Sequence, residues 1–126
     1  MTERESPLPD DGSPSGVFRR RPVVMLVKID RDREAELHLA DLPVSFVRVR
    51  HTLPAVVRAS ILRPEILILG PGAHPRDITL LLDVAFELES GILQLSPLVA
   101  AGAVRGWVAR MLEVVGERRA AKRAAG

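Results

Sequence analysis

The residues best suited to chemistry lie in the glycine-rich sequence GPGAHPRD, which begins at Gly70. At the start of a helix, the backbone amides around Gly70, Gly72 and Ala73 could hold a phosphate or a carboxylate. His74 is the histidine closest to such a site, where it could act as a base, and Asp77 ends the stretch. The alternative is a tight turn in which glycine only supplies the backbone angles and His74 is an exposed loop residue.

Other common site chemistries are missing from the sequence. Cysteine is absent, which excludes a disulfide framework, a thiolate metal site and a cysteine nucleophile. The histidines, His38, His51 and His74, are dispersed and do not have the spacing of metal ligands. We therefore predict that the protein uses no metal and no cofactor.

Length and composition indicate one folded domain. A chain of 126 residues matches a single core, and an apolar content of 47% with 27% charged residues excludes wholesale disorder. No apolar run approaches the roughly 18–20 residues of a membrane span. The amino terminus is acidic and rich in proline, unlike a signal peptide. The expectation is a cytoplasmic protein without a membrane partner.

The charges are concentrated at the two ends of the chain. Residues 1–21 read as a disordered leader that is acidic at first and ends in the basic run Arg19–Arg21, and residues 116–126 form a basic tail. Between them, residues 22–115 contain ten basic and eleven acidic side chains. A nearly neutral body with few aromatic residues argues against nucleic acid as a partner.

Alternating strand and helix patterns predict a single α/β domain over residues 22–115. Strands are predicted at residues 22–29, 45–51, 65–70 and 91–96, with the second at an edge of the sheet. Helical patterns follow each strand, the first over residues 30–42. Right-handed crossovers then place helices on both faces of a parallel sheet. We predict a three-layer α/β/α sandwich, flavodoxin-like or Rossmann-like, with strand order 2-1-3-4.

Helix caps and buried faces follow from the same patterns. Thr52 is predicted to cap the second helix, Asp77 to help cap the third and Ser96 to cap the last. The second helix is predicted to bury one face with the residues Val56, Val57, Ser60 and Ile61. On the last helix an apolar repeat includes Val104, Trp107, Val108, Met111, Leu112 and Val115.

Two known families resemble this pattern. The stretch from the first strand to the last helix looks like a response-regulator receiver domain. Receivers have an acidic cluster after the first strand and a phosphoacceptor aspartate after the third, where this sequence has Lys28-Ile29-Asp30 and Gly70. A closer resemblance rests on PEILILGPGAHPRD, residues 64–77. This stretch is similar to the strand and oxyanion loop of class I glutamine amidotransferases of the anthranilate-synthase type. The resemblance covers about residues 22–106 and implies a truncated version of that domain.

The same resemblance indicates that the reaction has been lost. It aligns the cysteine nucleophile of the family with Ser96, and the family's oxyanion-binding backbone N–H with Pro97, which has none. No histidine follows Ser96, so the activating histidine of the family has no counterpart. The resemblance therefore implies a pseudoenzyme, with an amidotransferase-like subunit of a synthase complex as an alternative.

We predict a non-catalytic protein-interaction module that self-associates, as a homodimer, through its third and fourth helices. These helices carry more apolar residues than one sheet face buries. The predicted contact residues are Leu80, Val84, Leu88, Trp107 and Met111. Trp107 alternatively packs the last helix against the sheet. Binding of a small anion or nucleotide at the glycine-rich loop is the other alternative.

Overall fold

The computed structural model describes residues 21–96 and 99–125, in which strands and helices alternate. The elements are β1 (Val23–Val27), α1 (Arg31–Glu36), β2 (Ser45–Val49), α2 (Thr52–Leu62), β3 (Ile66–Leu69), α3 (Pro75–Leu88), β4 (Gly91–Gln94) and α4 (Ala101–Ala125). All strand pairs are parallel, and the sheet order is β2-β1-β3-β4. The predicted flavodoxin-like three-layer fold and its strand order are confirmed. The predicted leader lies, apart from Arg21, outside the described residues.

The central strands β1 and β3 are buried along their whole length. Their apolar residues run without polar interruption because helices cover both faces of the sheet. Alternate side chains point to opposite faces, so Val24 and Leu26 join a core cluster beneath α4 and the turn after α1. Met25 and Val27 join a second cluster beneath α2 and α3. The sheet therefore separates two distinct apolar cores.

Strand β2 lies at one edge of the sheet, as its alternating sequence predicts. Phe46 packs against the α4 side, whereas Val47 and Val49 pack against the α2/α3 side. Arg48 is exposed and forms an ion pair with Glu34 of α1. Strand β4 forms the other edge.

Helix α1 is shorter than the predicted helix over residues 30–42. Asp30 caps it, with its Oδ1 accepting a hydrogen bond from the backbone N–H of Arg33 at 2.7 Å. The helix ends at Glu36 because Leu37 and Leu39 are both buried. Residues two apart lie on different faces of a helix, so the chain must leave the helix to bury both.

The predicted buried face of α2 is wrong except for Val56, which is half-buried and packs against the core. Ala55 and Ala59 face the sheet and are fully buried, whereas Val57 and Ile61 are 60% and 74% exposed. Small side chains let the helix backbone approach the sheet closely, which turns the larger residues outward. Thr52 is the first helical residue and is buried; the cap position before it belongs to His51.

The predicted cap of α4 is also wrong, although its buried face is confirmed. The helix begins at Ala101, so Ser96 does not cap it. Val104 and Val108 lie in the core, and Trp107 and Met111 pack beside them.

Arg119 holds the distal part of α4 against the amino-terminal end of the sheet. Its guanidinium donates to the carbonyl oxygens of Pro64 at 2.9 Å and Leu88 at 3.0 Å. It also forms an ion pair with Glu65 at 3.4 Å. The first residues of the predicted basic tail therefore belong to a helix that is attached to the domain.

Gly70→Ala should destabilise the fold severely. A Cβ at Gly70 would lie 2.0 Å from the carbonyl oxygen of Lys28, and two backbone segments would have to separate. Gly106→Ala is the matched control, because a Cβ there meets nothing within 4 Å and alanine favours a helix by about 0.5–1 kcal/mol. Urea titrations should show a lower midpoint for the first variant and a higher one for the second. Equal midpoints for both would contradict the close approach.

Arg119→Met should lower the free energy of unfolding by about 1–3 kcal/mol, because buried carbonyl oxygens would lose their donor. The neighbouring Arg118 is exposed, so Arg118→Met should change the free energy of unfolding by less than about 0.5 kcal/mol. Thermal and urea denaturation followed by circular dichroism measure both. Similar effects in the two variants would show that the Arg119 contacts do not stabilise the helix.

Candidate functional site

The glycine-rich loop lies where the strand order of the sheet reverses. Strand β1 is followed in the chain by β2 on one side, and β3 pairs on the other side. Lys28 directly follows β1 and Gly70 directly follows β3, so both lie at the carboxyl ends of the two central strands. In open parallel sheets, ligands bind in the crevice at this switch point. The loop therefore occupies the place in the fold where a ligand would be expected.

Both loop glycines have a conformational reason to be glycine. Gly70 is buried, and its missing side chain allows the backbone to pass the Lys28 carbonyl. Gly72 has a φ of +84°, a left-handed conformation that side chains disfavour. These geometries match the tight-turn alternative. Ala73 follows as a half-buried residue.

An ion pair crosses the crevice from β1 to α3. Lys28 Nζ lies 3.1 Å from Asp77 Oδ2, and both side chains are partly exposed. The pKa of Asp77 lies below its usual value, first because the nearby Thr52 hydroxyl stabilises the carboxylate and next because Lys28 does. Thr52 is buried, and its hydroxyl forms no hydrogen bond of ordinary geometry with the described residues. Asp77 thus holds the start of α3 to the end of β1.

His74 is exposed and caps α3, a position that the sequence had suggested for Asp77. Its Nδ1 accepts a hydrogen bond from the backbone N–H of Arg76 at 3.1 Å. One ring nitrogen is therefore engaged with the helix.

Ser96 lies beyond the end of the edge strand β4 and is exposed. Its carbonyl oxygen accepts a hydrogen bond from the Arg33 guanidinium at 3.3 Å. Pro97 and Leu98, which the amidotransferase resemblance places at the oxyanion side, lie outside the described residues.

A second candidate site is an apolar surface on the outer side of α2 and α3. The large apolar side chains that are exposed in the described part of the chain all lie on these two helices. We call them the α2/α3 surface: Leu53, Val57, Ile61, Leu80, Leu82 and Phe86. Phe86 is 85% exposed. The three α2 members are four residues apart, so they form one row along the helix.

The predicted contact residues do not form one surface. Leu80 belongs to the α2/α3 surface, whereas Val84 is half-buried and Leu88 is buried in the core. Trp107 and Met111 pack on the opposite face of the sheet, where both approach Gly91. Helices α3 and α4 are thus separated by the sheet, and the two cannot present one flat contact.

The exposed row on α2 was not recognised as a surface in the sequence. Val57 and Ile61 read as core residues because apolar side chains at helical spacing usually face inward. Ala55 and Ala59 are the residues that could have indicated the buried face, since two alanines one turn apart are typical of a closely packed helix face.

Comparison with protein-family models, with curated proteins and with solved structures finds no match to this chain. None of the helices in residues 21–96 and 99–125 combines the length and apolar character that crossing a membrane requires. The histidine, aspartate and glutamate side chains of the same residues form no group of three that could hold a metal ion.

Asp77→Asn should lower the melting temperature at neutral pH, because it removes the partner of Lys28. The stabilisation that depends on the carboxylate is complete above the usual aspartate pKa of about 3.9, and it is lost as the pH falls through the lower pKa of the folded protein. The difference in melting temperature between wild type and variant should therefore shrink in acid.

Differential scanning fluorimetry from neutral pH to about pH 2.5 tests this expectation. Glu113→Gln, a change of an exposed carboxyl on α4, is the control for general charge effects. A difference between wild type and Asp77→Asn that stays constant over this range would contradict the role of the ion pair.

Proposed function

We propose that this protein is a non-catalytic interaction module that self-associates through the α2/α3 surface. The observation that carries the proposal is the exposure of large apolar side chains on two adjacent helices. Single exposed apolar residues are normal on proteins, but a group of them on one face is typical of a protein contact. Phe86 is the strongest candidate for an anchor, because aromatic residues dominate the binding energy of many interfaces.

The charge distribution supports a second copy of this chain as the occupant. Helix α2 contains one charged residue, Arg58, and no acidic residue. Beyond its first turn, which contains Arg76 and Asp77, helix α3 carries only the exposed acids Asp83 and Glu87 as charged residues. A surface with a basic half and an acidic half is complementary to itself after a two-fold rotation.

The size of the surface suggests a weak, reversible dimer. Two helices side by side, about 16 and 21 Å long and each about 10 Å across, present a face of about 370 Å². Stable complexes bury about 800 Å² on each partner, so this contact falls below their range and supports only a weak association. We expect a monomer–dimer equilibrium in the micromolar range.

The glycine-rich loop is less suited to a small anion. The charge of Lys28 is balanced by Asp77, and the first amide of α3 that could meet an anion is taken by His74. An incoming phosphate would approach a carboxylate. The absence of cysteine and the proline after Ser96 support the non-catalytic part of the proposal.

Val57→Glu and Phe86→Glu should each raise the dissociation constant of the dimer at least tenfold, because either change places a charge in the apolar contact. Sedimentation velocity over about 1–500 μM protein measures the equilibrium. Ala109→Glu adds the same charge to the exposed side of α4 and should have no effect.

Circular dichroism verifies that each variant is folded. A wild-type protein that is monomeric over the whole concentration range would overturn the proposal, and so would equal dissociation constants for Phe86→Glu and Ala109→Glu.

A further inference from the structure

We infer that, in the dimer, α2 of each copy packs over α3 of the other, with Arg58 facing the acidic row of the partner helix. This inference rests on the proposed self-association and adds its geometry. It follows from the placement of the charges among the apolar side chains of the α2/α3 surface.

The acids of α3 lie in the middle of its exposed side. At about 100° per residue, Asp83 and Glu87 form a row between Phe86 on one side and Leu80 on the other. All four residues are exposed. Any partner that covers Phe86 must therefore also cover or neutralise the acidic row.

Helix α2 offers a matching charge. Arg58 is exposed and lies beside the row of Val57 and Ile61. The structure gives it no ion pair with an acidic residue of the described chain. A contact that covers α2 would therefore benefit from an acid in the partner.

When the helices of the two copies are aligned face to face, the two-fold axis lies either across the helices or along them. An axis across the helices places α2 on α2 and α3 on α3, so that Arg58 approaches its own copy and the two acidic rows meet. An axis along the helices places α2 of each copy over α3 of the other copy. The second arrangement brings Arg58 to acidic side chains in both copies, whereas in the first Arg58 meets its own copy, and like charges in a contact are costly.

The heights of the charges fit the second arrangement. An axis along the helices preserves the level of each residue, and both helices start from the carboxyl edge of the sheet. At 1.5 Å per residue, Arg58 lies about 9 Å from the start of α2 and Asp83 about 12 Å from the start of α3. An arginine side chain spans that offset, so Asp83 is the nearer acid and Glu87 follows one turn later.

A charge exchange tests this arrangement. Arg58→Asp and Asp83→Arg should each raise the dissociation constant at least tenfold, because both symmetric pairs would become pairs of like charges. The double variant should return to within about threefold of wild type. Exchanging the exposed α4 residues, by Arg110→Glu and Glu113→Arg singly and together, is the control and should change nothing.

The absence of cysteine allows a second, geometric readout. Arg58→Cys and Asp83→Cys should form a disulfide-linked heterodimer when mixed and mildly oxidised, and neither variant should link to itself. Self-linking of Arg58→Cys would instead show α2 on α2 and overturn the inference.

The outcomes separate the two proposals. A dimeric wild type whose single charge variants bind as tightly as wild type would overturn the crossed arrangement and leave the self-association intact. A monomeric wild type would overturn both. Restoration by the double variant supports both.

Discussion

Coverage of the β1–β3 pair on both faces is the constraint on which the rest of the structure depends. Parallel strands with uninterrupted apolar sequences are stable only when helices exclude water from each side. On one side, α4 provides valines and a tryptophan. On the other side, α2 lies close to the sheet through Ala55 and Ala59, and its larger residues point outward. The exposed row of α2 is therefore a consequence of how this helix seals the sheet.

The same close packing shapes the carboxyl edge. The chain leaves β1 and β3 side by side, and the contact between Lys28 and Gly70 leaves no room for a side chain. Asp77 then connects the start of α3 to Lys28 through an ion pair, and His74 caps the amino terminus of α3. The switch point of the sheet, where many related architectures bind a ligand, is occupied here by interactions of the chain with itself.

The exposed row of α2 and the internally paired crevice both favour a protein contact over a small ligand. A crevice whose charges are balanced internally offers little to a small anion, whereas the opposite side of α2 and α3 offers apolar side chains and separated charges to a protein. The proposed contact uses the outer face of the helices that seal the sheet, so the stability of the core and the shape of the contact surface depend on the same two helices. Self-association would cover apolar side chains that the described strands and helices leave exposed.

The architecture could be predicted from the sequence because it depends on local, repetitive signals. Uninterrupted apolar strands alternating with helical patterns require a parallel sheet, and right-handed crossovers place the helices on its two faces. The edge position of β2 followed from its alternation of arginine with apolar residues.

What the sequence could not decide is which side of each helix faces inward. Val57 and Ile61 have the composition of core residues, and Leu37 and Leu39 fit a helical pattern, yet the first pair is exposed and the second pair ends a helix. The sequence likewise did not show that Ser96 lies outside α4 or that Lys28 pairs with Asp77. Periodicity determines that a helix is amphipathic, but the distance between helix and sheet selects the face, and that distance is set only when all the elements pack together.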